Sequence, residues 1–205
     1  MITIVDYGMG NLGSISNMLK KIGAASQVSS DAATIAAAGK LILPGVGAFD
    51  AAMQRIDASG LRPTLERRVL EDKVPVLGIC LGMQLLAESS EEGSRPGLGW
   101  IRAEVLDFRG RVPPDLKVPH MGWNVVVPTR PCALTKGLAE MVDPRFYFVH
   151  SYFVRCRDQG DGILRTHYGL DFDSAVHRGN IYGVQFHPEK SHRFGMTLLH
   201  SFASL

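Results

Sequence analysis

The chain has 205 residues, of which 45% are hydrophobic and 20% charged, a globular balance with enough apolar material for a sizeable core. Its 22 basic and 20 acidic side chains leave a net charge of +2, too even for charge-driven binding of nucleic acid, and no apolar stretch nears the roughly 20 residues that cross a bilayer. Three widely spaced cysteines form no disulfide framework, and the start Met1-Ile2-Thr3-Ile4-Val5-Asp6 lacks the basic flank and length of a signal peptide, so a cytoplasmic protein is expected.

Residues 2–5 read as a strand, and Leu12, Ile15, Met18, Leu19 and Ile22 then keep helical spacing. A weak strand follows at 26–28, an alanine-rich helix at 32–38 and a strand at 40–43. Helices are expected at 50–56 and 61–70, before the apolar run 74–79. This alternation predicts a parallel sheet with helices on both faces. The second half changes character, with strands expected near 105–108, 123–127, 146–149, 162–167 and 181–186, and a closing helix over 192–202. With no repeat or linker, residues 1–205 are expected to form one domain. The predicted fold class is α/β, a doubly wound, mostly parallel central sheet with an antiparallel strand-rich insertion.

Cys80 follows that apolar run inside Gly78-Ile79-Cys80-Leu81-Gly82, and a helical pattern of Met83, Leu85 and Leu86 comes next. Strand, glycine-flanked turn and helix resemble the nucleophile elbow of hydrolases, where the glycines relieve a crowded backbone. A thiol there is lifted clear of the sheet and faces a helix N-terminus, which favours the thiolate. The alternative is a small buried hydrophobe. Cys132 and Cys156 lack that setting and read as structural.

Three further segments carry candidate chemistry. Leu43-Pro44-Gly45-Val46-Gly47-Ala48 follows a strand, and its glycines let backbone N–H groups turn toward a forming oxyanion. In Phe186-His187-Pro188-Glu189, an extended chain would put His187 and Glu189 on one face, the histidine to move protons and the carboxylate to orient it. Read alone, that run is also a plain surface turn. His192 and His200 fall on the exposed face of the last helix, and His167 and His177 have no evident partner. Gly8-Met9-Gly10-Asn11-Leu12-Gly13, after a strand and before a helix, matches a dinucleotide fingerprint, with Asp31 farther on. Asp31 follows Ser29-Ser30 as a helix cap would, however, and that reading leaves the cysteine unexplained.

Gly78-Ile79-Cys80-Leu81-Gly82-Met83-Gln84 with Phe186-His187-Pro188-Glu189 resembles the class I glutamine amidotransferases. Within that family, four stretches are similar to the glutaminase subunits of imidazole glycerol phosphate synthase: Asp6-Tyr7-Gly8-Met9-Gly10-Asn11-Leu12, Pro44-Gly45-Val46-Gly47, Pro119-His120-Met121-Gly122-Trp123-Asn124 and Phe148-Val149-His150-Ser151-Tyr152. The resemblance implies hydrolysis of glutamine to glutamate and ammonia, with no cofactor and no metal. It also implies a heterodimer with a (β/α)₈ cyclase subunit, which receives the ammonia and activates the glutaminase in histidine biosynthesis. The cyclase product is imidazole glycerol phosphate with an aminoimidazole carboxamide ribotide.

Carried onto this chain, the resemblance makes Cys80 the nucleophile, His187 the acid and base, and Glu189 its orienting partner. The backbone N–H of Leu81 and one from Val46 or Gly47 would hold the oxyanion. Gly47, Gln84, Glu92 and Ser151 would hold glutamine, with Glu91 an alternative to Glu92. Asn11, Trp123 and Tyr147 would line the partner interface and ammonia path, although Trp123 could also be a core aromatic. The rival readings are a glutaminase serving another synthase, a stand-alone cysteine hydrolase, and a dinucleotide-binding module built on Gly8, Gly10 and Gly13.

Overall fold

The computed structural model describes residues 1–205. The first half alternates as its apolar spacing dictates: β1 (Ile2–Val5), α1 (Leu12–Lys21), β2 (Ser26–Ser29), α2 (Ala32–Ala36), β3 (Lys40–Leu43), α3 (Phe49–Ala58), α4 (Arg62–Glu66), β4 (Val76–Ile79) and α5 (Leu81–Leu85). In α3 the buried Phe49, Ala52, Met53 and Ile56 recur at helical spacing and face the sheet. The helix expected over 61–70 is α4 followed by one wider turn over Arg67–Glu71. The second half holds β5 (Ser89–Ser90), β6 (Ala103–Asp107), β7 (His120–Val125), β8 (Val127–Pro128), β9 (Arg145–His150), β10 (Tyr152–Cys156), β11 (Gly162–His167), β12 (Asp171–Arg178), β13 (Ile181–Val184) and α6 (His192–Ser204). No helix is long and apolar enough to cross a membrane.

Eleven strands form one sheet with the main order β2-β1-β3-β4-β13-β12-β10-β6-β5, and β11 pairs with β12 and β8. From β2 to β13 every pairing is parallel, and polarity reverses at β12. β7 and β9 form a separate antiparallel ribbon. The inner parallel strands β1, β3, β4 and β13 are buried on both faces and alternate between two apolar layers, whereas the edge strand β2 stays partly exposed. Leu41 and Leu43 join Phe49, Met53 and Leu65 on one side, while Ile42 joins Ile4, Leu19, Leu198 and Phe202 on the other. The predicted α/β class with an antiparallel portion is therefore the observed one. β12, which links the parallel and antiparallel parts, was not foreseen. Its Asp171-Phe172-Asp173-Ser174 start breaks apolar alternation because Asp173 and Ser174 are buried polar residues.

Candidate active site

β3, β4 and β13 lie side by side and parallel, so the loops after them leave the same edge of the sheet. Those loops carry Gly45-Val46-Gly47, Cys80 and His187. Cys80 has φ 56° and ψ −114°, a strained conformation for a side-chain-bearing residue, and its N–H donates to Val184 O at 2.8 Å. Both flanking glycines are sterically required. A Cβ on Gly78 would meet the backbone of Gly82 and Met83 at 2.6 to 2.8 Å, and one on Gly82 would collide with the Leu43 carbonyl. The elbow is thus pressed against β3. A Cβ on Gly45 would lie 2.8 Å from Gly82 N and 2.9 Å from Leu81 Cβ, so the Gly45-Val46-Gly47 turn packs directly on it. Leu81 opens α5, and its N–H has no intrahelical acceptor.

His187 Nδ1 donates to Glu189 Oε1 at 2.8 Å, with the two side chains only 4% and 1% exposed. The local geometry differs from the extended run expected. Pro188 starts a short 3₁₀ turn, Pro188–Lys190, which folds the carboxylate back onto the imidazole. Ser191 braces this turn by donating to His187 O at 2.6 Å and accepting from Tyr147 N at 3.0 Å. His187 Nε2 has no partner in hydrogen-bond geometry, but Cys80 lies close enough to act on the ring. Burial alone would lower the His187 pKa. Cys80 and Glu189, both attractive to the imidazolium, outweigh it and raise the pKa to about 9.

A cavity of about 330 Å³ brings together Val46, Gly47, Cys80, Leu81, Gln84, Glu92, Ser151 and His187. Glu189 stands behind His187 and outside it. Glu92, not Glu91, reaches the cavity: its Oε2 accepts from Phe49 N at 3.0 Å, and burial raises its pKa. Glu91 is spent on Arg111 at 2.8 Å and on Asp107 N at 2.7 Å. A larger hollow of about 770 Å³ beside Pro131 and Lys136 holds none of the expected catalytic residues, so size does not decide the site; the convergence of thiol, imidazole and carboxylate does.

A family model described as glutamine amidotransferase class-I matches residues 3–203. The chain belongs to the class I glutamine amidotransferases. Within that family it is 52% identical, over the full length of both chains, to the imidazole glycerol phosphate synthase subunit HisH of Bdellovibrio bacteriovorus. It is 51% identical to a HisH of Methanococcus maripaludis, with 98% of each chain covered, and 50% identical to one of Pseudomonas aeruginosa over all of both chains. Among solved structures, a glutamine amidotransferase covers 100% of this chain and 99% of its own at a TM-score of 0.76 and 18% identity. PurLQS from Thermotoga maritima matches at 0.74 and 17%, covering 99% and 97%. Those two likenesses speak for the fold.

In this amidotransferase the glycine motif after β1 has a different use from the dinucleotide fingerprint. Asp31 caps α2, accepting from Thr34 N at 2.8 Å, and a Cβ added at Gly13 would meet nothing within 4 Å, so no close approach requires a glycine there. Gly10, at φ 110°, lets the loop approach Pro44, and Tyr7 donates to Pro44 O at 2.6 Å. The loop therefore braces the Gly45-Val46-Gly47 turn. Asn11 accepts from Ser14 N at 3.4 Å at the start of α1. Trp123 is not a core aromatic: it is 47% exposed on β7, stacked on His192 at 5.4 Å and edge-on to Tyr147 at 6.3 Å. Cys132 and Cys156 lie away from the cavity, and burial pushes the Cys156 thiol pKa up. Sequence reasoning missed Ser191 and Gln185. A glutamine between Val184 and Phe186 was the available signal, since a polar side chain in a buried run must find partners.

Proposed function

We infer that the chain, read as one amidotransferase domain over residues 1–205, hydrolyses glutamine to glutamate and ammonia and feeds the ammonia to the cyclase of imidazole glycerol phosphate synthase in histidine biosynthesis. The observation that carries this reading is a cysteine strained at a strand–helix elbow beside a buried histidine–glutamate pair on the adjacent strand end. Cys80 Sγ attacks the amide carbon, and the negative charge moves to the carbonyl oxygen. The Leu81 N–H and one from Val46 or Gly47 receive it. His187, charged near neutral pH, gives its Nε2 proton to the departing nitrogen; the C–N bond breaks, ammonia leaves and a glutamyl thioester remains. The neutral imidazole then takes a proton from water, hydroxide attacks the thioester, and the C–S bond breaks to restore the thiolate. Glu189 holds the ring's tautomer and steadies its charge.

Gln84 uses its Nε2 on Tyr152 O at 3.1 Å, which leaves its Oε1 to accept from the substrate's α-ammonium group. Glu92 offers a carboxylate to the same group, and Gly47 and Ser151 complete the glutamine pocket. Free ammonia is mostly protonated at neutral pH, judged from amine values of roughly 10, and is then no nucleophile, so delivery through a shielded path preserves its reactivity. Met121 and Trp123, exposed on one face of β7, offer an apolar surface to a (β/α)₈ cyclase subunit, with Asn11 and Tyr147 contributing nearby. A reducing cytoplasm suits the free thiols. Co-purification with the cyclase of the same genome, followed by glutaminase assay with and without the cyclase's ribotide ligand, tests the proposal. Strong activation is expected. Full activity of the free chain, unchanged by the cyclase, would favour the stand-alone hydrolase.

A further inference from the structure

Gln185 is fully buried at the end of β13, and a buried primary amide has two donors and an acceptor to place. Its Oε1 faces Gln84 Nε2 at 3.0 Å and its Nε2 faces Cys80 Sγ at 3.8 Å. The neighbours fix which end is which. The Tyr152 carbonyl can only accept, and Gln84 Nε2 donates to it at 3.1 Å. That nitrogen also faces Gln185, so the atom of Gln185 opposite it must be the oxygen, and the amide N–H is left aimed at sulfur. The same carbonyl accepts from His150 Nδ1 at 2.7 Å. His150 Nε2 therefore accepts from His120 Nδ1 at 2.9 Å, and His120 Nε2 accepts from Asn124 Nδ2 at 3.2 Å. The Asn124–His120–His150 chain and Gln84 thus both donate to one carbonyl.

We propose that Gln185 is a catalytic residue of this site: its side-chain N–H, oriented through Gln84 by the Tyr152 carbonyl, donates to Cys80 Sγ and stabilises negative charge on the sulfur. The assignment rests on the glutaminase reading for its chemistry. Sulfur bears that charge twice, as the thiolate that attacks the amide and as the thiolate released when the thioester C–S bond breaks. A neutral thiol is a weak acceptor and an anion a strong one, so the contact strengthens when the sulfur is charged. Charge leaves the sulfur as it attacks but grows on it as the thioester C–S bond breaks, so it is in that second step that the contact strengthens along the reaction and raises turnover, whereas interactions of constant strength only tighten binding. A glutamine that merely propped Gln84 would instead show itself in substrate affinity.

Gln185→Glu keeps the shape and an oxygen for Gln84 while replacing the donor; Gln185→Met removes both functions. The full chain carrying Cys132→Ser is treated with iodoacetamide, and modification of the Cys80 peptide is followed by mass spectrometry beside melting curves and steady-state glutaminase kinetics of the complex. Gln185→Glu is expected to slow Cys80 alkylation roughly ten- to hundred-fold, the scale of one hydrogen bond to a charged group, and to lower kcat with KM nearly unchanged. Gln185→Met should lose alkylation equally and also raise KM, because Gln84 loses its acceptor. Wild-type alkylation rates in both variants, or a rise in KM alone, overturn the proposal. If neither variant folds, Gln84→Met, which frees the Gln185 amide to rotate, must slow alkylation several-fold, and unchanged alkylation there overturns it equally. Alkylation needs no glutamine, so a wild-type chain without glutaminase activity would refute the proposed function while leaving the role of Gln185 at the sulfur to be judged on its own.

Discussion

In the proposed reaction Cys80 acts only before ammonia exists. Cys80→Ala should therefore abolish glutamine-dependent synthesis by the complex and leave ammonia-dependent synthesis intact; losing both would assign the cysteine to folding or the interface. Cys132→Ser and Cys156→Ser should keep most glutaminase activity. In the proposed reaction His187 moves protons, whereas Glu189 orients and stabilises, so their losses should differ in size. By the scale of serine-protease triads, His187→Asn costs on the order of 10⁶ in kcat and Glu189→Gln about 10⁴. Wild-type turnover in Glu189→Gln would remove the carboxylate from the triad. Glu92→Gln should raise the KM for glutamine while Glu91→Gln does not, because only Glu92 reaches the cavity. The meeting of Cys80, His187 and Glu189 was legible because neighbouring residues mark each of them, glycines on one side and Pro188 on the other. Gln185 was not, because its partners Gln84 and Cys80 are remote in the chain and no local pattern names them.

The elbow and the Gly45-Val46-Gly47 turn pack together as one element. Gly82→Ala drives a methyl into the Leu43 carbonyl, which β3 holds in the sheet, so a destabilisation of about 3 kcal/mol or more is expected in a denaturant titration. Gly47 sits at φ 98°, open to glycine and closed to proline, whose φ is fixed near −65°. Gly47→Pro should therefore flatten the glutaminase response to the cyclase and its ligand, read as the ratio of kcat/KM with and without them. A variant activated as strongly as wild type would show that this turn is not the switch. One missing oxyanion donor costs about 10²–10³ in rate, enough for a peptide rotation here to account for much of the activation. Most elements were visible in advance because parallel strands are short apolar runs between amphipathic helices. β12 was hidden by its buried Asp173 and Ser174, and the turn after His187 by the assumption of an extended chain. In both places tertiary partners, not local preference, decide the backbone.

The molecule should lose stability toward both ends of the pH scale for opposite reasons. Burial holds His120 and His150 neutral, with pKa values lowered to about 4 and about 3 from the ordinary 6.5. Their contribution is complete above pH 6.5 and drains away as pH falls toward those values, because the unfolded chain binds protons that the folded one refuses. Removing one of them, as in His150→Asn, should reduce the acid-side dependence by about one proton, or roughly 1.4 kcal/mol per pH unit, in urea melts between pH 6 and 4.5. An unchanged slope would mean that the pair is not held neutral. His187 has the other sign. Its contribution is complete below pH 6.5 and is lost as pH rises through about 9, so His187→Asn should flatten the alkaline side. The molecule also has an order of assembly written into its sheet. β13 is the latest strand in the chain, yet it lies between β4 and β12 and delivers the histidine to the thiol. During synthesis the cysteine emerges long before its base, and the gap it needs filled stays open until residues 181–187 leave the ribosome. A nascent or prematurely terminated chain is thereby chemically silent: it holds a thiol but wastes no glutamine and sheds no ammonia into the cell.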